Sequence, residues 1–156
     1  MTIAPAAPAP RASARRRIGL GLLLGLLLGG VWLLRPPVYA PRARTLPTDF
    51  DAFYQQRLAE SRARGARPGN EERLLRFAPQ TPLALLYLHG FSASRAEGEA
   101  VIDAVAQRLR ANTYYLRLPG HGTSKEDHAR ATFADYLDEV SESTHIIHNL
   151  KQHLIL

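Results

Sequence analysis

The sequence has no cysteine, one methionine and one tryptophan in 156 residues. The missing cysteine excludes disulfides, thiolate catalysis and cysteine-based zinc sites. It is compatible with an oxidising compartment without requiring one. Acid is also missing where base is plentiful: residues 1–47 hold seven Arg and no Asp or Glu. Residues 48–156 hold 13 Lys or Arg against 14 Asp or Glu, so the formal charge of +6 belongs to the N-terminal segment. A nucleic-acid partner needs basic residues clustered on a folded face, and that part of the chain has none. No internal repeat is present, and the length allows one domain of ordinary size.

What is present begins with an Ala- and Pro-rich stretch ending in Arg15-Arg16-Arg17, and 1–17 reads as a disordered basic tail. Ile18 to Leu34 is then an uncharged run of 17 residues closed by Arg35. At about 1.5 Å per residue it covers roughly 25 Å, the short end of a bilayer core. It outlasts the usual apolar region of a cleaved signal peptide. Residues 18–34 are therefore expected to be a transmembrane or signal-anchor helix, with Trp32 near its far interface. The alternative is cleavage near Val38-Tyr39-Ala40 and secretion. A slight excess of Arg before the run places the N-terminus in the cytoplasm and the rest on the periplasmic or extracellular side of an inner or plasma membrane. Residues 35–47, with four Pro and three Arg, are expected to be a stiff linker before a domain over 48–156.

Within that domain, Phe50, Phe53, Tyr54 and Leu58 share one face of a helix predicted from about Thr48 to Arg64, with Gly65 as its stop. Glu72 to Phe77 is a short strand candidate. Leu83 to Leu88 is an apolar run fitting a strand buried on both faces, and Gly90 after it implies a sharp bend or a close approach. Val101, Ile102, Val105 and Leu109 predict a helix whose apolar face covers the sheet. Asn112 to Leu118 is a second strand, rich in strand formers. Strand, helix and strand in that order give parallel strands. Thr132 with Asp135 makes a capping-box variant, and Phe133, Tyr136, Leu137, Val140, Ile147, Leu150 and Leu154 suggest one apolar stripe on a helix reaching about His153. The fold class is α/β.

Two motifs carry chemistry. Leu-Leu-Tyr-Leu-His-Gly-Phe-Ser-Ala-Ser ends at Ser94, and Leu-Arg-Leu-Pro-Gly-His-Gly-Thr-Ser ends at Ser124. In this order and at this separation they resemble the α/β-hydrolase fold, most of all its lipase, esterase and serine-peptidase-like members, over roughly Glu72 to Val140. The resemblance implies the N-terminal half of that sheet. It implies that the Phe91 backbone N–H helps hold the substrate's oxyanion, that His89 braces the loop and Gly90 permits its turn, and that Gly120, His121 and Gly122 shape the rim. It implies an ester substrate, or an amide, no cofactor, and an acyl-enzyme made by a serine in Gly-x-Ser-x-Gly. That motif is missing. Gly90-Phe91-Ser92-Ala93-Ser94 comes nearest but lacks the second Gly, so no nucleophile is assigned. The stretch after Val140 also departs from the family pattern, and the expectation is a truncated or frameshifted chain, inactive alone. A non-catalytic, membrane-tethered interaction module on half the fold is the other reading.

His145, His148 and His153 with Glu142 could in principle bind zinc, as could His121, Glu126, Asp127 and His128. No His-Glu-x-x-His pattern supports either, so the first set reads as a polar helix face and the second as loop and cap residues, and no metal site is assigned.

Overall fold

The computed structural model describes residues 14–35, 39–42 and 44–151. The expected tail lies outside these as far as residue 13, as do Val38 of the cleavage motif and His153 and Leu154 of the late helix. The chain divides into two compact units, Met1–Tyr39 and Ala40–Leu156.

The first unit holds helix α1 (Ala14–Leu33). Its leucines from Leu20 to Leu34 are exposed. Among the described residues no helix is long and apolar enough to cross a membrane.

The second unit is mixed α/β. It contains α2 (Phe50–Ala63), β1 (Arg73–Leu75), β2 (Ala84–Tyr87), α3 (Glu99–Leu109), β3 (Asn112–Tyr115), α4 (Lys125–Arg130) and α5 (Phe133–Ile146). One-turn 3₁₀ segments precede α3 (Arg95–Glu97) and follow α5 (Ile147–Leu150). Arg42 pairs with Asp135 at 2.7 Å and its backbone N–H donates to Asp138 at 3.2 Å, so the chain from Ala40 already packs on the domain.

Local chemistry sets the helix ends. Asp49 caps α2 by accepting from Ala52 N–H at 2.9 Å, and Gly65 stops it in the left-handed conformation (φ 75°). Thr132 and Asp135 cap α5 reciprocally. Thr132 donates to the Asp135 carboxylate from both backbone and hydroxyl, and with Arg42 this holds that carboxyl at about 2 against the cost of its burial. α5 ends at Ile146, not near His153, because the chain turns extended at Lys151 and bridges to Thr81.

The sheet runs β1-β3-β2. β2 and β3 are parallel, with Leu85 opposite Thr113 and Tyr87 opposite Tyr115; β1 lies antiparallel on the other side of β3. β3 is fully buried, but β2 is only half-buried throughout, contrary to the strand covered on both faces expected from its sequence. The reason is position: β2, like β1, is an edge strand. α3 departs in the same sense. Val101 is 68 % exposed, Val105 and Leu109 are also exposed, and Ala106 is the helix's one buried residue. A three-stranded sheet ending at β2 is too narrow to seat the whole apolar stripe.

The core gathers Phe50 and Phe53 of α2, Tyr114 and Leu116, and Ile146, Ile147 and Leu150. The Tyr114 ring meets Phe50 edge-on at 5.3 Å and Phe53 at 6.1 Å. Its hydroxyl is buried without a hydrogen-bond partner among the described residues. Tyr114→Phe therefore removes an unmet polar group and keeps the packing, and should stabilise the domain by about 1 kcal/mol in urea unfolding.

Candidate active site

β2 delivers its C-terminal end to the turn Gly90–Ala93, closed by Ala93 N–H donating to Gly90 O at 3.1 Å. Ser92 is the third residue of this turn and has φ 64°, the left-handed value that type II turns require there. The strained conformation thus falls on Ser92, not on Gly90, where an added Cβ would meet only an ordinary contact, Glu97 Oε2 at 3.5 Å. A left-handed residue with a side chain costs roughly 1–2 kcal/mol, while glycine gives back roughly 0.5–1 kcal/mol in the unfolded chain. Ser92→Gly should therefore raise stability by about 0.5–1 kcal/mol in a thermal melt.

Leu118 to Gly122 forms the second turn. Its Gly120 (φ 74°) has no room for a side chain, since a Cβ would lie 2.8 Å from the His128 Cα. Gly122 also has positive φ (70°), and its carbonyl accepts from Arg67 N–H at 2.9 Å. The two turns touch. Ser92 N–H donates to His121 Nε2 at 3.1 Å and Leu118 N–H to His89 Nε2 at 3.2 Å. The rings stand 5.0 Å apart. His89 and His121 are both buried, and burial is the main cause that lowers the pKa of each below the usual 6.5. Phe91 N–H makes no hydrogen bond among the described residues. The Phe91 ring is 74 % exposed and leans on His121, His128 and Tyr136.

Of the six residues singled out from the sequence, His89 and His121 join the two turns, Phe91 leans on His121, Gly90 opens the first turn, and Gly120 and Gly122 bend the second toward His128 and Asn70. Ser92 Oγ makes no hydrogen bond among the described residues, and the His121 Nε2 beside Ser92 is taken by the Ser92 backbone N–H. His145 and His148 are exposed on the late helical segment, and no group of three metal-ligating side chains forms among the described residues.

Sequence reasoning missed a second polar centre. α5 turns Asp138, Glu139, Glu142 and Ser143 inward instead of an apolar stripe, and Phe133 is exposed. Arg57 of α2 faces them, pairing with Glu60 at 2.9 Å, Glu139 at 3.4 Å, and Glu142. Nearby, Arg117 donates to Ser61 Oγ at 2.7 Å and Ser61 donates to Glu72 at 2.7 Å. Arg57, Ser61, Glu72, Arg117, Asp138 and Glu139 line a cleft of about 210 Å³. Phe91, His89 and His121 do not line it, but Pro119 and Gly120 of the second turn do. Arg117 Nη1 also donates to His121 O at 3.0 Å, which ties the second turn to this polar centre.

No family model and no curated protein matches the chain. Among solved structures it is similar to one from work on LipS and LipT, two metagenome-derived lipolytic enzymes described as increasing the diversity of known lipase and esterase families. The identity is 21 %, the TM-score 0.48, and the match covers 55 % of this chain. It covers 33 % of that chain, so this sequence spans about a third of the solved structure's length.

Proposed function

We propose that residues 48–156 are the N-terminal part of an α/β-hydrolase domain whose Phe91 N–H serves as one donor of an oxyanion hole for a carboxylic ester, with an amide as the less favoured substrate. The observation behind this is the free Phe91 N–H at the apex of a strained turn after a parallel strand. Ligands in open α/β sheets bind at such strand ends. In acyl transfer the carbonyl oxygen gains negative charge as a serine adds to the carbon, and a preorganised N–H lowers that barrier without reorganising. No serine in Gly-x-Ser-x-Gly stands in this sequence, and no base or acid to serve one is assigned in it, so this chain is expected to be inactive alone.

Two measurements test the reading. The 156-residue chain should hydrolyse p-nitrophenyl butyrate no faster than buffer; turnover that disappears in Ser92→Ala would overturn the assignment of Ser92 as a turn residue. The DNA downstream of the last codon should encode a hydrolase-like frame with Gly-x-Ser-x-Gly, in phase or shifted, and its absence counts against a truncated enzyme.

The exposed Val101, Val105 and Leu109 and the edge position of β2 favour a second reading, a non-catalytic interaction module that covers this side with a partner. A cooperative thermal transition of the chain by circular dichroism supports the module, and aggregation without one supports the incomplete enzyme. For either reading the leucines of α1 suit a lipid surface better than water. Sedimentation of the chain with vesicles, lost when residues 1–39 are removed, is the expected result.

A further inference from the structure

We propose that His89 and His121 form a reciprocal clamp between the two turns, that His121 is thereby the positioning residue for the Phe91 N–H, and that a proton added to either ring opens the clamp. The value of the clamp to catalysis rests on the oxyanion reading above; its geometry does not.

The bonding pattern fixes the tautomers. A backbone N–H can only donate, so His89 Nε2 facing Leu118 N–H and His121 Nε2 facing Ser92 N–H are both unprotonated acceptors. The hydrogen of each neutral ring must then be on Nδ1. That atom lies 3.0 Å from Gly90 O in His89 and 3.1 Å from Pro119 O in His121, and a carbonyl can only accept. Each ring thus donates within its own turn and accepts from the other turn. The pattern is closed: four bonds, two rings, two turns, and no nitrogen left for a metal ion. It also accounts for the strained turn. The bond from Ser92 N–H to His121 holds Ser92 at φ 64° and leaves its neighbour, Phe91 N–H, as the unpaired donor.

The surroundings keep both rings neutral. His89 faces Arg117, Glu97 and His121. His121 faces His89, Arg117, His128 at 4.6 Å from α4, and Tyr136 at 5.6 Å from α5, with Asp135 next along that helix. Cations and would-be cations outnumber the one carboxylate that reaches His89. Protonation turns Nε2 into a donor that confronts another donor, so the cross-turn bond is lost. Both rings have folded values below the usual 6.5, so the stability they contribute is complete above about pH 6.5 and is lost as pH falls through the folded values.

The test uses the full 156-residue chain labelled with ¹⁵N. Long-range proton–nitrogen spectra at about pH 8, above the ordinary histidine value, should show the Nδ1–H tautomer for both rings. The Ser92 and Leu118 amides should be protected from exchange, and their protection factors should fall about tenfold per pH unit once the rings titrate. The Phe91 amide resonance should move with the same titration. His121→Gln offers an acceptor that does not titrate, so Ser92 should stay protected in acid, whereas His121→Phe should lose that protection even at about pH 8. An Nε2–H tautomer in either ring overturns the clamp. So does a Ser92 amide that exchanges freely at about pH 8, or a His121→Gln variant that keeps the wild-type pH dependence. If that variant does not fold, the wild-type tautomers decide. None of these readouts involves substrate, so an absent hydrolase frame downstream would sink the oxyanion reading and leave the clamp standing.

Discussion

Asn112→Ala should destabilise the domain by about 4 kcal/mol, which lowers the melting temperature by roughly 15 °C in a chain of this size. Asn112 is fully buried at the start of β3, and its side chain joins segments distant in sequence. Oδ1 accepts from Phe77 N–H at 2.8 Å and Ala78 N–H at 3.3 Å. Nδ2 donates to Ala78 O at 2.8 Å and Leu150 O at 3.2 Å. Alanine leaves those backbone groups unmet, and each buried unmet group costs about 1–3 kcal/mol unless water reaches it. The residue's own N–H keeps its bond to Thr81 Oγ1 at 3.0 Å, so the loss measures the side chain. Asn112→Asp separates the two halves of the effect. It retains the acceptors but sets a carboxylate against two carbonyls, which raises its folded pKa, so its deficit should shrink as pH falls toward the ordinary carboxyl value of about 4 and level off there. Chemical denaturation of the three proteins across pH checks both statements, and an Asn112→Ala loss under about 1 kcal/mol would refute the hub.

How far the sequence disclosed this structure depends on what each residue was asked to do. Elements set by local chemistry were legible: Gly65 stops α2, Thr132 and Asp135 start α5, and the apolar run at Leu83 gives a strand parallel to the next. The two turns were legible as motifs, and His89 and His121 drawn from them join the turns to each other. Which residue bears the positive φ was not, since glycine is the usual bearer and here Ser92 is held by a ring 29 positions away. α4 was read as loop because six residues between two caps carry no apolar period. Burial was least legible. Periodicity says which residues share a face but not whether the rest of the fold covers it. So the stripe on α3 is exposed, while Asn112, read as a strand start, is a buried hub. α5 shows the same limit in reverse: nothing near Glu139 in sequence says that an arginine 82 positions earlier will face it.

Arg57→Met should cost about 3–5 kcal/mol at about pH 8 and much less at about pH 5, because removing one partner of a buried ion cluster leaves the others uncompensated. Methionine keeps most of the stem that packs on α2 but loses the guanidinium, which also lies 5.0 Å over the Phe53 ring. Arg57 serves Glu60, Glu139 and Glu142, and Arg44 adds only a longer contact of 3.7 Å to Glu142, so the three carboxylates are not fully neutralised. Glu139 bears the consequence. Burial raises its carboxyl to about 7, further than Arg57 can pull it back, and the charges of Glu72 and Glu142 add to the rise. Its folded value therefore lies above the ordinary 4.5, so its contribution is complete below about pH 4.5 and is lost as pH rises through about 7. Without Arg57 the carboxyl rises further and the loss continues to higher pH. Glu139→Gln abolishes the titration, so it should flatten the stability profile between about pH 4.5 and 7 and recover part of the Arg57→Met deficit in the double variant. The histidine pair acts with the opposite sign in the overlapping window, so Glu139→Gln should also expose the acid limb set by His89 and His121. Urea midpoints of the four proteins across this range decide the matter. An Arg57→Met profile running parallel to the wild type would show that Glu139 is not the group in question.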